Sequence, residues 1–189
     1  VHEDIKNIVS THKHLTGITI VDHDFSQLNI RENYIESIIK GIEYLIEELD
    51  STIIIYPQVI SILPDGTEDI KLAKEIKQNV NAKFQSKVII LEGNYTPGEL
   101  KGMYQEMDLF IATRLHSSIF STACRVPTIN ISYHGTKSKG TFELLGMEHY
   151  VVDIESIKKD MFLAKIKEIL ANKDNVKYIL DSKMKKIES

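Results

Sequence analysis

The chain contains one cysteine, no tryptophan and four prolines among its 189 residues. A lone thiol excludes an internal disulfide framework. Cys124 stands in an apolar helical stretch, where an inert core thiol is expected. No apolar run approaches the ~18 residues that a membrane-crossing helix requires, so no transmembrane segment is expected. The opening residues, VHEDIKNIVSTHKH, have neither the basic start nor the apolar centre of a signal peptide. The chain starts on Val1 rather than Met, from which we expect a part of a longer protein. An excess of positive charge is also lacking: 23 Lys and Arg face 27 Asp and Glu, for a net charge of -4. That balance speaks against unspecific nucleic-acid binding. There is no G-x-G-x-x-G and no G-x-x-x-x-G-K-[ST], so dinucleotide and P-loop sites have no support. No serine sits in a G-x-S-x-G elbow, which weakens a hydrolase reading. His2, His12, His14 and His23 are scattered without an H-E-x-x-H or a cysteine pair, so no metal site is expected.

What is present is a regular alternation. Six short apolar or β-branched runs read as strands: GITIV from Gly17, TIIIYP from Thr52, KVIILEG from Lys87, MDLFIA from Met107, PTINIS from Pro127 and HYVVD from His149. Between and after them lie helical patterns. Ile35, Ile38, Ile39, Ile42, Leu45, Ile46 and Leu49 recur at three- and four-residue spacing. Ile70, Ala73, Ile76, Lys77 and Val80 continue a second face. Thr96-Pro97-Gly98-Glu99 reads as a helix start, with a capping threonine, proline at the first position and glutamate three residues after the cap. Further helices are expected over 117–125, 140–147, 156–171 and 175–189. Fully apolar strands alternating with helices predict an α/β fold: a three-layer, doubly wound, mostly parallel sheet of Rossmann-like type. Residues 1–16 are expected to be a linker or terminal segment and 17–189 a single domain.

In such sheets a ligand lies beyond the carboxyl ends of the strands. The loops there hold Asp22, His23 and Asp24; Gln58; Glu92 and Asn94; Thr113 to Ser118; and Ser132 to Gly140. RLHSS is the sharpest of them. A guanidinium at Arg114 can grip a carboxylate or phosphate, a helix start at Ser117 and Ser118 favours an anion, and the imidazole of His116 can move a proton near neutral pH. The competing reading pairs Arg114 with an internal carboxylate and uses His116 as a cap or packing group. In YHGTKSKG, Lys137 and Lys139 sit in a Gly-flanked loop that could close over a phosphorylated ligand or simply be solvated. Asp65 and Asp69 read as loop and helix-cap carboxylates.

The stretch ATRLHSSIFSTACRVPTINISYHGTKSKGTFELLGM resembles the C-terminal signature of the polysaccharide pyruvyl transferase family. The matching positions are Arg114, Leu115, His116, Val126, Pro127, Tyr133, Lys137, Gly140, Leu145 and Gly146, with weaker likeness upstream across roughly 17 to 158. The resemblance implies the C-terminal, donor-side half of a glycosyltransferase-B-type architecture, with the acceptor side in an N-terminal domain. It implies transfer of a pyruvyl group from phosphoenolpyruvate to a sugar hydroxyl of a cell-surface polysaccharide or its lipid-linked precursor, forming a pyruvate ketal. Phosphoenolpyruvate is then donor substrate, and no separate cofactor is expected. Arg114 and His116 would be catalytic. Arg114, Ser117, Ser118, Tyr133, Lys137 and Gly140 would bind substrate. Many members carry a basic residue soon after the first strand, where this chain has Val21 to Asp24, and His23 is the candidate substitute. The partners implied are phosphoenolpyruvate and a glycan or lipid-linked sugar acceptor, in a cytoplasmic protein that is at most peripheral to the inner face of the membrane. The alternatives are a nucleotide-sugar-dependent glycosyltransferase, with Glu92 and Tyr95 at the nucleotide, and a non-catalytic domain of the same fold.

Overall fold

Ile53, Ile54 and Ile55 offer no polar face to water, and the strand they belong to is buried along its length. A strand of that kind needs cover on both sides. The computed structural model describes residues 3–22, 28–57, 68–93, 95–133 and 137–188, and it supplies that cover. The strands are β1 (Leu15–Thr19), β2 (Thr52–Ile55), β3 (Val88–Ile90), β4 (Leu109–Ala112), β5 (Thr128–Ser132) and β6 (Val151–Asp153). They form one six-stranded sheet in the order β3-β2-β1-β4-β5-β6, and every pairing is parallel. The helices are α1 (Glu3–Thr11), α2 (Leu28–Leu49), α3 (Glu68–Asn79), α4 (Pro97–Tyr104), α5 (Leu115–Ala123), α6 (Lys137–Leu145), α7 (Lys159–Ala171) and α8 (Lys173–Glu188). The expected Rossmann-like α/β sheet is therefore present.

Successive residues of β4 divide between two cores, as the two-residue period of a strand requires. Leu109 and Ile111 join the larger one with Ile38, Ile42, Phe162 and Ile166 from α2 and α7. Phe110 and Ala112 join the smaller one with Met103 and Tyr104 of α4. In the smaller core, Phe110 lies 4.3 Å from the Tyr104 ring and 5.9 Å from the Tyr56 ring, centroid to centroid. Gly17 makes room for this cluster. It pairs in register with Phe110, and a Cβ there would sit 2.4 Å from Cε2 of the ring. Alanine would gain about 0.5–1 kcal/mol over glycine in backbone entropy. Overpacking a filled core costs about 1–3 kcal/mol, so the clash should win. Gly17→Ala is expected to lower the denaturation midpoint, and an unchanged midpoint would show that the ring can step aside.

The start of α4 follows its sequence. Thr96 Oγ1 accepts the Glu99 N–H (3.3 Å), the Glu99 carboxylate accepts the Thr96 N–H (2.8 Å), and Pro97 opens the helix. The amino-terminal segment differs from expectation. Leu15 and Thr16 are the first residues of β1, and α1 lays Ile8 and Val9 against the smaller core. At that amino end of the sheet, Asp108 accepts the Leu15 N–H (3.1 Å) and the Lys173 ammonium (2.8 Å), tying α8 to β1. Burial pushes the Asp108 carboxyl up, but these two donors outweigh it and leave it below the ordinary carboxylate range.

Candidate functional site

The strand order changes direction at β1, which has β2 on one side and β4 on the other. Ligands of doubly wound sheets lie at that point, outside the carboxyl ends. β1 ends there at Thr19 and β4 at Ala112, which are register partners, and the Thr113 N–H donates to the Thr19 carbonyl (3.2 Å). Beneath this opening the fully buried Tyr34 of α2 joins both strand ends. Its hydroxyl accepts the Val21 N–H (3.4 Å) and is hydrogen-bonded to Thr113 Oγ1 (2.9 Å). Burial, above all, pushes this phenol well above its ordinary range, so it remains a neutral hydrogen-bonding group.

Arg114 follows immediately, at the cap position of α5. Its Nη2 donates to both carboxylate oxygens of Asp69, at 2.7 and 2.9 Å, and its Nε donates to the Ile20 carbonyl at 3.4 Å. Asp69 lies in the first turn of α3 and is 1% exposed, whereas the Arg114 side chain is 20% exposed. The internal carboxylate that the competing reading required thus exists, and Asp69 is the residue that sequence reasoning assigned to a mere cap. The arginine nevertheless stays at the crevice. On α2, Arg31 makes a two-pronged pair with Glu75 (3.1 and 2.8 Å) and reaches Asp22 through Nε (3.3 Å).

The helix after Arg114 starts at Leu115, two residues earlier than the expected Ser117. His116 therefore occupies the first turn, with its side chain exposed to solvent rather than packed in the core. The Arg114 side chain makes no capping hydrogen bond to this helix start. Ser118 uses its N–H on the Arg114 carbonyl (3.1 Å), so the first-turn N–H groups of Leu115, His116 and Ser117 are left without a hydrogen bond among the described residues. The hydroxyls of Ser117 and Ser118 are fully buried. Ser118 Oγ donates to the Leu115 carbonyl (2.8 Å) and accepts from Asn130 Nδ2 (3.3 Å). Ser117 Oγ has no hydrogen-bond partner among the described residues.

The YHGTKSKG segment is less loop-like than its glycines imply. Lys137 to Gly140 form the first turn of α6, and residues 134–136 lie outside the described residues. Tyr133 is half-buried against the larger core. A Cβ at Gly140 would meet nothing within 4 Å. Lys139 lines a separate cavity of about 390 Å³ with Ser132, Glu148, His149 and Asp153, beside the edge strand β6. It is not gathered with Arg114 and His116. His23, Gln58, Asp65 and Asn94 fall outside the described residues. Glu92 is paired with Lys74 (3.2 Å). Among the described residues no group of His, Cys, Asp and Glu could hold a metal ion. Cys124 is half-buried at the end of α5, and burial pushes its thiol up, away from reactivity.

The family model described as "Polysaccharide pyruvyl transferase" matches residues 11–135, which include Arg114 and His116. The amylovoran biosynthesis protein AmsJ of Erwinia amylovora is 29% identical over 109 residues, a match covering 58% of this chain and 26% of AmsJ. The chain thus spans about a quarter of that relative's length. Among solved structures, the UDP co-structure of S. aureus MnaA has a TM-score of 0.64 at 11% identity, covering 95% of this chain and 44% of that one. The C-terminal domain of the group 1 glycosyl transferase LpcC from Francisella tularensis has a TM-score of 0.61 at 13% identity, covering 96% and 87%. The UDP-GlcNAc 2-epimerase of Methanocaldococcus jannaschii has a TM-score of 0.58 at 19% identity, covering 90% and 43%. At such identities these likenesses speak for the fold alone.

Proposed function

The chain belongs to the polysaccharide pyruvyl transferase family, and we propose that it forms the donor side of an enzyme that moves a pyruvyl group from phosphoenolpyruvate to a sugar of a cell-surface polysaccharide or its lipid-linked precursor. The observation that carries this reading is the placement of Arg114 and His116: one holds the cap position of α5 at the switch point, and the other stands exposed in the first turn of that helix. Phosphoenolpyruvate has a carboxylate and a phosphate. A guanidinium answers one of them, and the uncapped N–H groups of Leu115, His116 and Ser117 answer the other.

The chemistry needs a sugar hydroxyl to add to C2 of the donor while C3 gains a proton and the hydroxyl loses its own. A second hydroxyl then forms its bond to C2 and gives up its proton as the C2–O bond to phosphate breaks, leaving a ketal and inorganic phosphate that carries off that proton. His116, solvent-exposed and unburdened by core packing, is suited to deliver the proton to C3. The acceptor side belongs, in this reading, to an N-terminal domain in a glycosyltransferase-B-type arrangement. Lys137, Gly140 and His23 remain candidates for the donor's second anionic group. Among the described residues no helix is long and apolar enough to cross a membrane. We place the enzyme in the cytoplasm, at most peripheral to the inner face of the membrane.

A nucleotide-sugar reading has less support, because Glu92, its candidate ribose partner, is paired with Lys74. Isothermal titration separates the two. The chain should bind phosphoenolpyruvate and release no comparable heat with UDP-sugars. The opposite pattern would replace the proposal with the nucleotide-sugar reading, and heat with neither would favour a non-catalytic domain.

A further inference from the structure

We propose that Asp69 is a positioning residue for this site: its buried carboxylate fixes the plane of the Arg114 guanidinium, so that the arginine meets the donor's carboxylate or phosphate through Nη1. The inference rests on the donor reading above. Two anchors hold one flat group at two different nitrogens, the Asp69 carboxylate at Nη2 and the Ile20 carbonyl at Nε. Together they stop the guanidinium from turning about its own axis. Asp69 is 1% exposed, so water does not compete for its oxygens. What remains is Nη1, whose two N–H groups make no hydrogen bond among the described residues. A donor anion thus meets a pre-set pair of N–H groups on one nitrogen rather than the two-nitrogen fork that a free arginine offers.

Position and charge pull in opposite directions here, which makes the idea testable. As a charge, Asp69 repels an anionic donor, so Asp69→Asn should tighten binding. As a positioning group it holds Arg114 in place, so the same change should loosen it. A misplaced ligand group typically costs up to about 100-fold, and the positioning effect should dominate.

The first measurement needs no ligand. In ¹⁵N spectra of the guanidinium groups, Arg114 should show distinct Nη1 and Nη2 signals because rotation is hindered, and Asp69→Asn should merge them. A single averaged signal in the unaltered chain overturns the proposal. The second is titration with phosphoenolpyruvate in a four-way comparison. Asp69→Asn should weaken binding roughly 10- to 100-fold, yet have no further effect when Arg114 is already alanine. Unchanged or tighter binding by Asp69→Asn overturns the proposal. If that variant does not fold, Asp69→Glu keeps the charge but moves it by one methylene, and it should likewise weaken binding. Split Arg114 signals in a chain that binds no phosphoenolpyruvate would make Asp69 a structural tie, overturning its positioning role through failure of the donor reading rather than of the hold itself.

Discussion

Replacing His116 by alanine in the complete enzyme should lower turnover at saturating phosphoenolpyruvate by about 10²- to 10⁴-fold, the usual cost of a lost acid–base group. The affinity for the donor should change little, because the anion contacts proposed for Arg114 and the backbone N–H groups of the first turn do not involve the imidazole. Stability should also hold. The imidazole is exposed, so its removal opens no cavity, and surface changes of this kind stay within about 0.5 kcal/mol. Alanine is moreover a better helix former than histidine in the first turn of α5. A folded variant with undiminished turnover would remove His116 from the mechanism. A variant with raised Michaelis constant and normal turnover would reassign it to donor binding.

The elements around this histidine were legible to different degrees, and the reasons are physical. β2 and β4 announce themselves because a strand covered on both faces is apolar throughout, and no other short element needs such a run. The start of α4 is legible because its cap is a local exchange of hydrogen bonds within four residues. The start of α5 is blurred, since Arg114 occupies the cap position without capping and the run of small residues that reads as helix begins only at Ser117. Ser117 and Ser118 read in the sequence as an anion-favouring helix start. Both are buried because small side chains let the helix lie close to the sheet, and Ser118 satisfies its hydroxyl on Leu115 and Asn130, as Ser121 does with Thr128. Lys137 to Gly140 read as a loop because two glycines bracket the segment, yet helix begins at Lys137, since one glycine costs a helix only about 1 kcal/mol. Asp69 was the least legible of all. Its partner lies 45 residues away in sequence, and no periodicity or spacing marks a contact of that range.

That distant pairing gives a change at Arg114 two consequences at once. Arg114→Ala should weaken phosphoenolpyruvate binding, because the donor loses its guanidinium. It should also destabilise the fold, because the 1%-exposed carboxylate of Asp69 loses its guanidinium partner. Breaking one side of a buried pair costs about 3–5 kcal/mol, and the 20% exposure of Arg114 puts the expected loss at the lower end. The two consequences separate in a double variant. Arg114→Ala combined with Asp69→Asn removes the stranded charge, so the denaturation midpoint should recover most of the way toward that of the unaltered chain. Donor affinity should not recover, since no guanidinium has been restored. Arg114→Lys should fall short in both respects: an ammonium keeps the charge but cannot grip the Asp69 carboxylate and the Ile20 carbonyl from two nitrogens of one plane. Chemical denaturation and titration calorimetry on the same four proteins would read both quantities. If the double variant regained donor binding along with stability, the loss in Arg114→Ala would have come from a disturbed crevice, and Arg114 would be a structural partner of Asp69 rather than a ligand for the donor.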